Sequence, residues 1–185
     1  MNDQDHARPV VPPAGTERSQ DLTPAVRGRL AAERIVWLCT LRPNGSPHVT
    51  PVWFVFVRGT WWIGAERASV KLRNIENDPR VSLALEGGEA PVVAEGRARI
   101  WHVQPGAAAS PDAAPAPDAA VPSDAAAPSN ATVPSGAAVP SDVVAAFLAK
   151  YDWNVIATPQ SASSRSGRVL FEVPVDRWLL AGTAQ

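Results

Sequence analysis

The stretch 50-TPVWFVFVRGTWWIGAERASVKLRNIENDP-79 decides how the whole chain reads. Val52, Phe54 and Phe56 alternate with Trp53, Val55 and Val57, so both faces of this run are apolar, the pattern of a strand covered on both sides. Arg58-Gly59 reads as a tight turn, and Trp61, Trp62 and Ile63 run back as an antiparallel partner. Gly64-Ala65 then thins that partner strand at a point where another group can come close to the backbone.

The next residues, RASVKLRN at 67–74, open a short helix with Ser69 as its N-cap and Asp78-Pro79 as its end. Leu72 and Ile75 face the core. Arg67, Lys71 and Asn74 are spaced by four and three and share one face where the helical geometry reaches back to Arg67. Free amides at a helix start, a serine hydroxyl and cations make a phosphate site, while the same residues also describe an ordinary solvated helix face.

On the N-terminal side, residues 1–21 are polar, proline-rich and expected to be a disordered tail. Thr23-Pro24 is a cap followed by proline at the first helical position, opening a helix to about Glu33 with Val26 and Leu30 inward. Ile35 to Leu41 is a strand, with the single cysteine, Cys39, expected as a small buried residue within it. Arg42-Pro43-Asn44-Gly45 is a turn. The strand that begins near Pro47 carries a second proline at Pro51, which predicts an unpaired or bulged section near Thr50-Pro51.

Beyond the central stretch, Arg80 to Leu85 is a strand and Glu86-Gly87-Gly88 a turn. Ala90 to Val103 is a long strand bulged at Gly96, with Glu95, Arg97 and Arg99 on its charged face. From Pro105 to about Ser141 the composition shifts to Ala, Pro, Ser, Asp and Val, with hexads PSDAAA, PSNATV and PSGAAV starting at Pro122, Pro128 and Pro134. Proline at that interval neither continues a helix nor builds a core, so 105–141 reads as a disordered insertion, and replacing 106–140 with a Gly/Ser linker is expected to leave the melting temperature nearly unchanged. Ser141-Asp142 caps a helix over Val143 to Tyr151, a loop follows, and Arg168 to Val173 is a strand with a second extended piece at 175–181. Residues 22–185 therefore form a single domain interrupted by one insertion.

A formal charge of −1 over 185 residues, with no basic tract, gives no footprint for nucleic acid. The chain shows no run of signal-peptide or membrane-spanning length, which predicts a cytoplasmic protein with no membrane partner. Three histidines far apart and one cysteine offer no metal-ligand spacing, and G-x-S-x-G, G-x-G-x-x-G and Walker loops are absent. With no self-sufficient catalytic set, the chemistry falls to a bound cofactor. Seven tryptophans read either as barrel filler or, for some of them, as flanks of a planar ligand.

Three segments, IVWLCTLRPNGSPHVTPVWFVF at 35–56, SVKLRNIENDPRVSLAL at 69–85 and VVAEGRARI at 92–100, resemble the pyridoxamine-phosphate oxidase-like, or flavin-reductase-like, split β-barrel family. The end, RVLFEVPVDRWLLAG at 168–182, is similar more weakly. Within the family the likeness is greatest to the actinobacterial branch that uses a deazaflavin, coenzyme F420. The resemblance implies a mainly β, α+β chain with short helices, folded as an antiparallel FMN-binding-type split β-barrel and paired as a homodimer with cofactor sites at the subunit interface. It further implies an oxidoreductase moving hydride between reduced coenzyme F420 and a small electron-poor substrate. The alternatives are an FMN-dependent oxidase or reductase, or a flavin- or haem-binding protein without turnover.

The cofactor-binding positions it implies are the backbone of Thr50, Pro51 and Val52 along the ring, Ile63, Gly64 and Ala65 beside it, and Arg67, Ser69, Lys71, Arg73 and Asn74 around the phosphate, with Trp178 near the cofactor. Family members often carry arginine where Ser69 stands, so this chain departs from the pattern there. No catalytic residue is assigned; His48 is a surface histidine just after a turn.

Overall fold

A computed structural model of the protein describes residues 22–103, 137–157 and 167–180. The N-terminal tail, most of the Ala/Pro/Ser-rich insertion, residues 158–166 of the loop expected before the last strand, and residues 181–185 lie outside them.

The elements are α1 (Pro24–Ala32), β1 (Ile35–Leu41), β2 (Pro47–Val57), β3 (Thr60–Glu66), α2 (Val70–Asn77), β4 (Arg80–Leu85), β5 (Val93–Arg97), β6 (Arg99–His102), α3 (Ser141–Tyr151) and β7 (Arg168–Leu179). Every strand pairing is antiparallel. The order β3-β2-β1-β4-β5-β7 closes through β3–β7 pairing into a barrel, and β6 runs along the first half of β7. Closure leaves β7 without an unpaired edge over its first half, where Glu172 sits between Trp62 of β3 and Arg99 of β6.

Local chemistry explains the elements. Thr23 caps α1, its hydroxyl accepting from the Val26 amide at 3.3 Å, and Leu30 is the residue α1 buries. The β2–β3 hairpin turns on Arg58 and Gly59 at φ 52° and 77°, the double positive-φ geometry whose twist matches that of the flanking strands. Inside the barrel pack Phe54, Trp61, Ile63, Leu83, Ile100 and Phe171, all nearly inaccessible, with Leu72 and Ile75 of α2 joining the same core. A second apolar layer lies outside, where α3 sets Val143, Phe147 and Tyr151 over Val55, Trp62, Trp101 and Leu170. This outer cover is why both faces of β2 are apolar.

Several expectations are corrected. Of the unpaired or bulged section expected at Thr50-Pro51, the bulge is absent, since the register with β1 runs unbroken from Ile35↔Trp53 to Leu41↔Pro47, while the unpaired edge is present toward β3, which pairs with β2 only from Phe54 onward. Phe54 turns its amide and carbonyl to the Tyr151 hydroxyl, which also bonds the Arg34 carbonyl just before β1, so alternation along the strand sends the nitrogens of Pro51 and Pro47 to the opposite edge. Missing donors there cost the β1 ladder nothing. Cys39 is half-buried rather than core, because in β1 it is Val36, Leu38 and Thr40 that point inward. The long strand expected over 90–103 is two strands broken at Ala98, whose amide bonds the Pro79 carbonyl.

Pro174 lies inside a single strand rather than ending one, at the place where the pairing with β3 stops and β6 gives way to β5. α3 begins at Ser141 with Pro140 as its N-cap, and Asp142, in the first turn, accepts from the Val143 amide at 3.0 Å and pairs with Arg58 at 2.7 Å. The last residues of the insertion are structural, since Val139 is buried in the layer under α3, so a linker replacement must stop short of it.

Lys150 ties α3 to the barrel, its Nζ lying 3.9 Å from the Phe54 ring centre and donating to the Leu30 carbonyl at 3.2 Å. Burial, and then the Arg34 charge, lower its pKa from 10.5 to about 8, with Glu33 opposing. Between about pH 8 and 10 the unfolded chain therefore holds a proton that the native state has released, so stability rises with pH across that window. The expected gain is on the order of 1 kcal/mol, discounted because this half-buried group is screened by solvent. Urea midpoints should climb from pH 8 to 10 in the wild type and stay flat in Lys150→Met. Above pH 10 Tyr151 acts the other way, since burial raises its pKa and the native state then keeps a proton the unfolded chain loses.

Candidate functional site

The free edge of β2 and the start of α2 meet at a cavity of about 440 Å3, lined by Pro51, Val52, Trp53, Gly64, Ala65, Glu66, Ser69, Lys71, Trp153, Gly167 and Arg168. β2 pairs with β3 only from Phe54 to Val57, so no described strand covers the same edge from Pro47 to Trp53, and its main-chain groups face the opening. α2 enters with Ser69 as N-cap, the hydroxyl accepting from the Leu72 amide at 3.4 Å. The start of α2, through Ser69 and Lys71, thus brings the positive end of the helix and one cation to the cavity.

Six of the residues named from the sequence meet here: Pro51, Val52, Gly64, Ala65, Ser69 and Lys71. The other six lie elsewhere. Ile63 and Trp178 are in the barrel core, Trp178 packed edge-on against Phe56 and tilted against Trp61. Asn74 is buried, donating to the Thr40 hydroxyl at 2.9 Å, and Thr40 in turn donates to the His48 carbonyl at 3.3 Å. Arg67 precedes the helix instead of joining it and lies 2.9 Å from His102 Nδ1, so the expected common face of Arg67, Lys71 and Asn74 does not form. Arg73 is exposed on α2, and Thr50 faces inward beside Val52 with its hydroxyl buried and unpartnered.

His48 is partly buried, and burial, Arg42 and Lys71 together lower its pKa, which favours the neutral ring. Of the strand arginines, Arg97 lines a second cavity with Cys39, Arg80, Asp176 and Arg177, and Arg99 faces buried Glu172 at 3.9 Å. Neither lines the first cavity. Among the described residues there is no His/Cys/Asp/Glu cluster able to hold a metal, and no helix long and apolar enough to cross a membrane.

Sequence reasoning missed Trp53, Glu66, Trp153, Gly167 and Arg168. Trp53 stacks on Tyr151 at 4.7 Å and 12°, and Trp153 meets Trp53 edge-on at 6.2 Å while Arg168 lies 5.3 Å over the Trp153 ring. The one available signal was Gly64. A Cβ there would fall 2.3 Å from Trp153 Cη2, so the group that approaches this backbone is an indole from far along the chain.

The sequence matches the pyridoxamine 5'-phosphate oxidase family over residues 22–121, and the chain belongs to that flavin-binding split-barrel family. A search of curated proteins finds no match. Among solved structures, HutZ, the haem storage protein from Vibrio cholerae, is similar at 14% identity over 86% of this chain and 94% of its own, with a TM-score of 0.55. The conserved hypothetical protein Rv2991 from Mycobacterium tuberculosis is 18% identical over 89% of this chain and 88% of its own, with a TM-score of 0.50. An F420 reductase is 16% identical over 83% of this chain and 94% of its own, with a TM-score of 0.49. Identities this low speak to the fold alone.

Proposed function

We propose that the protein is an oxidoreductase that binds coenzyme F420 in the cavity between β2 and α2 and serves hydride transfer to a small electron-poor molecule. The observation that carries this reading is the convergence, on one cavity, of an uncovered strand edge at Pro51–Trp53 and a capped helix start bearing Lys71. The cavity volume lies within the range of cofactor pockets. Lys71, Ser69 and the first-turn amides would hold a phosphate, and the main chain of Pro51 to Trp53 would run beside the ring. When bound, the deazaflavin supplies the hydride; the protein supplies position and a water-poor wall.

The charge of the lining favours the deazaflavin over FMN. Two cations, Lys71 and Arg168, stand against one carboxylate, Glu66, leaving a net +1. That balance suits the monoanionic phosphodiester of a deazaflavin better than the terminal dianion of FMN. Arg67 does not line the cavity, but its amide bonds the carbonyl of the lining residue Gly167, and it would be the cation to meet a carboxylate tail, a role that Arg97, in the second cavity, and Arg99, facing Glu172, would not have. Lys71→Ala should weaken coenzyme F420 binding by roughly 1.5–3 kcal/mol, the range for a hydrogen bond to a charged group, and leave thermal unfolding unchanged. Unaltered affinity in that variant would remove the phosphate from this cavity.

The partner in this reading is a second copy of the chain. On the outer face of β1 and β2 the register sets Ile35 beside Trp53, Trp37 beside Pro51 and Cys39 beside Val49, and Trp37, Val49 and Trp53 are 42%, 53% and 45% exposed. An apolar sheet face of this kind bordering the cavity suits a two-fold contact that would complete the site. Light scattering should give a dimer for the wild type and a folded monomer for Trp37→Glu; a monomeric wild type that binds the cofactor stoichiometrically would refute the pairing.

A further inference from the structure

Gly64 and Trp153 are matched to each other in a way the phosphate end of the cavity does not require. The tip of the Trp153 indole lies over the Gly64 backbone, with Cη2 and Cζ3 at 2.3 and 2.5 Å from where a Cβ would stand. No side chain larger than hydrogen fits at position 64 while the ring keeps this place. The indole is braced on its other sides, edge-on to Phe147 at 5.3 Å and to Trp53 at 6.2 Å, with the Arg168 guanidinium 5.3 Å over the ring. Trp53 is itself held by stacking on Tyr151, whose hydroxyl is fixed to the Phe54 amide and the Arg34 carbonyl. Trp153 remains half-buried and lines the cavity together with Trp53, Gly64 and Arg168. A partly buried indole braced on these sides offers a planar, low-entropy contact surface.

We propose that Trp153, seated on Gly64 with Arg168 over its ring, is the stacking wall through which this cavity selects a planar aromatic ring. The proposal deepens the cofactor reading above and rests on it for the identity of the ring's natural bearer. It adds the residue that grips the ring: Lys71 and Ser69 recognise the anion, and Trp153 recognises the π-face. A bicyclic or tricyclic electron-poor ring gains most from such a wall, while a saturated or non-planar ligand of equal size gains little.

The test separates ring from phosphate by using lumichrome, a bare tricyclic ring without side chain or phosphate, beside FMN and coenzyme F420. Each is titrated into the full-length wild type, Trp153→Ala, Trp153→Phe, Gly64→Ala and Lys71→Ala, with thermal melts as a folding control. Trp153→Ala should weaken all three ligands by about the same factor, roughly tenfold, the size of base stacking on aromatics measured by alanine substitution. Trp153→Phe should recover part of the loss. Gly64→Ala should mimic Trp153→Ala by expelling the indole, and the double variant should be no worse than either alone. Lys71→Ala should spare lumichrome.

Lumichrome bound equally or more tightly by Trp153→Ala, or not bound by the wild type, would overturn the wall. Trp153-dependent lumichrome binding, with FMN and coenzyme F420 no tighter than the bare ring, would support the wall and refute the cofactor reading instead.

Discussion

Trp61→Ala should cost about 3–5 kcal/mol of folding stability, the range for removing a large aromatic from a core. Trp61 is fully buried in the barrel and touches three aromatic neighbours, Phe54 at 4.8 Å, Phe56 at 5.5 Å and Trp178 at 6.1 Å between ring centres. The neighbouring rings sit on β2 and β7, strands held by the closed backbone ladder, so they cannot collapse freely into the space left behind. Domains of this size have only about 5–15 kcal/mol in total, so this variant should unfold at markedly lower urea concentration. A midpoint shift worth less than about 1 kcal/mol would mean that the barrel interior is looser than these ring contacts require.

Gly96→Ala should cost about 3 kcal/mol or more, through a different mechanism. Here β5 shifts register against β7 between Glu95 and Gly96, and the bulge brings the two backbones together so that a Cβ would lie 2.2 Å from the Pro174 carbonyl oxygen. The obstructing atom is main chain in the middle of a paired strand, so relief requires β7 to move away and lose ladder bonds. Gly88→Ala is the control, since a Cβ there meets nothing within 4 Å. Comparable melting temperatures for the two variants would contradict the tight crossing of β5 and β7.

Where the sequence could be read, the determinants were local. The bounds of β1 and β4 follow from apolar runs closed by turn residues, the β2–β3 hairpin from Arg58-Gly59, the caps of α1 and α2 from Thr23 and Ser69, and the bulge from Gly96. The errors came where distant chain decides the outcome. Pro51 reads as a ladder breaker until the pairing of β2 with β1 puts its nitrogen on the free edge. Asn74 reads as a ligand-facing polar residue at helical spacing until Thr40, from β1, draws its amide inward. Trp178 reads as a residue near the cofactor until barrel closure puts it against Trp61.

The candidate site divides along the same line. Ser69 and Lys71, read from the sequence as a phosphate site, lie on contiguous sequence and do meet at the cavity; its aromatic end, Trp53 with Trp153 and Arg168, is assembled from β2, the turn after α3 and the start of β7. Gly64 showed that something approaches, but no periodicity within β3 could name Trp153 as the partner.

Equilibrium dialysis of the full-length protein, expressed in a host without deazaflavin, against coenzyme F420 and FMN at matched concentrations is the most direct test of the central claim. The account predicts a colourless preparation that binds one coenzyme F420 per chain, more tightly than FMN, with affinity falling as salt is raised and falling again in Lys71→Ala. A protein that takes up neither cofactor, or one that arrives yellow with stoichiometric FMN that coenzyme F420 does not displace, would contradict it.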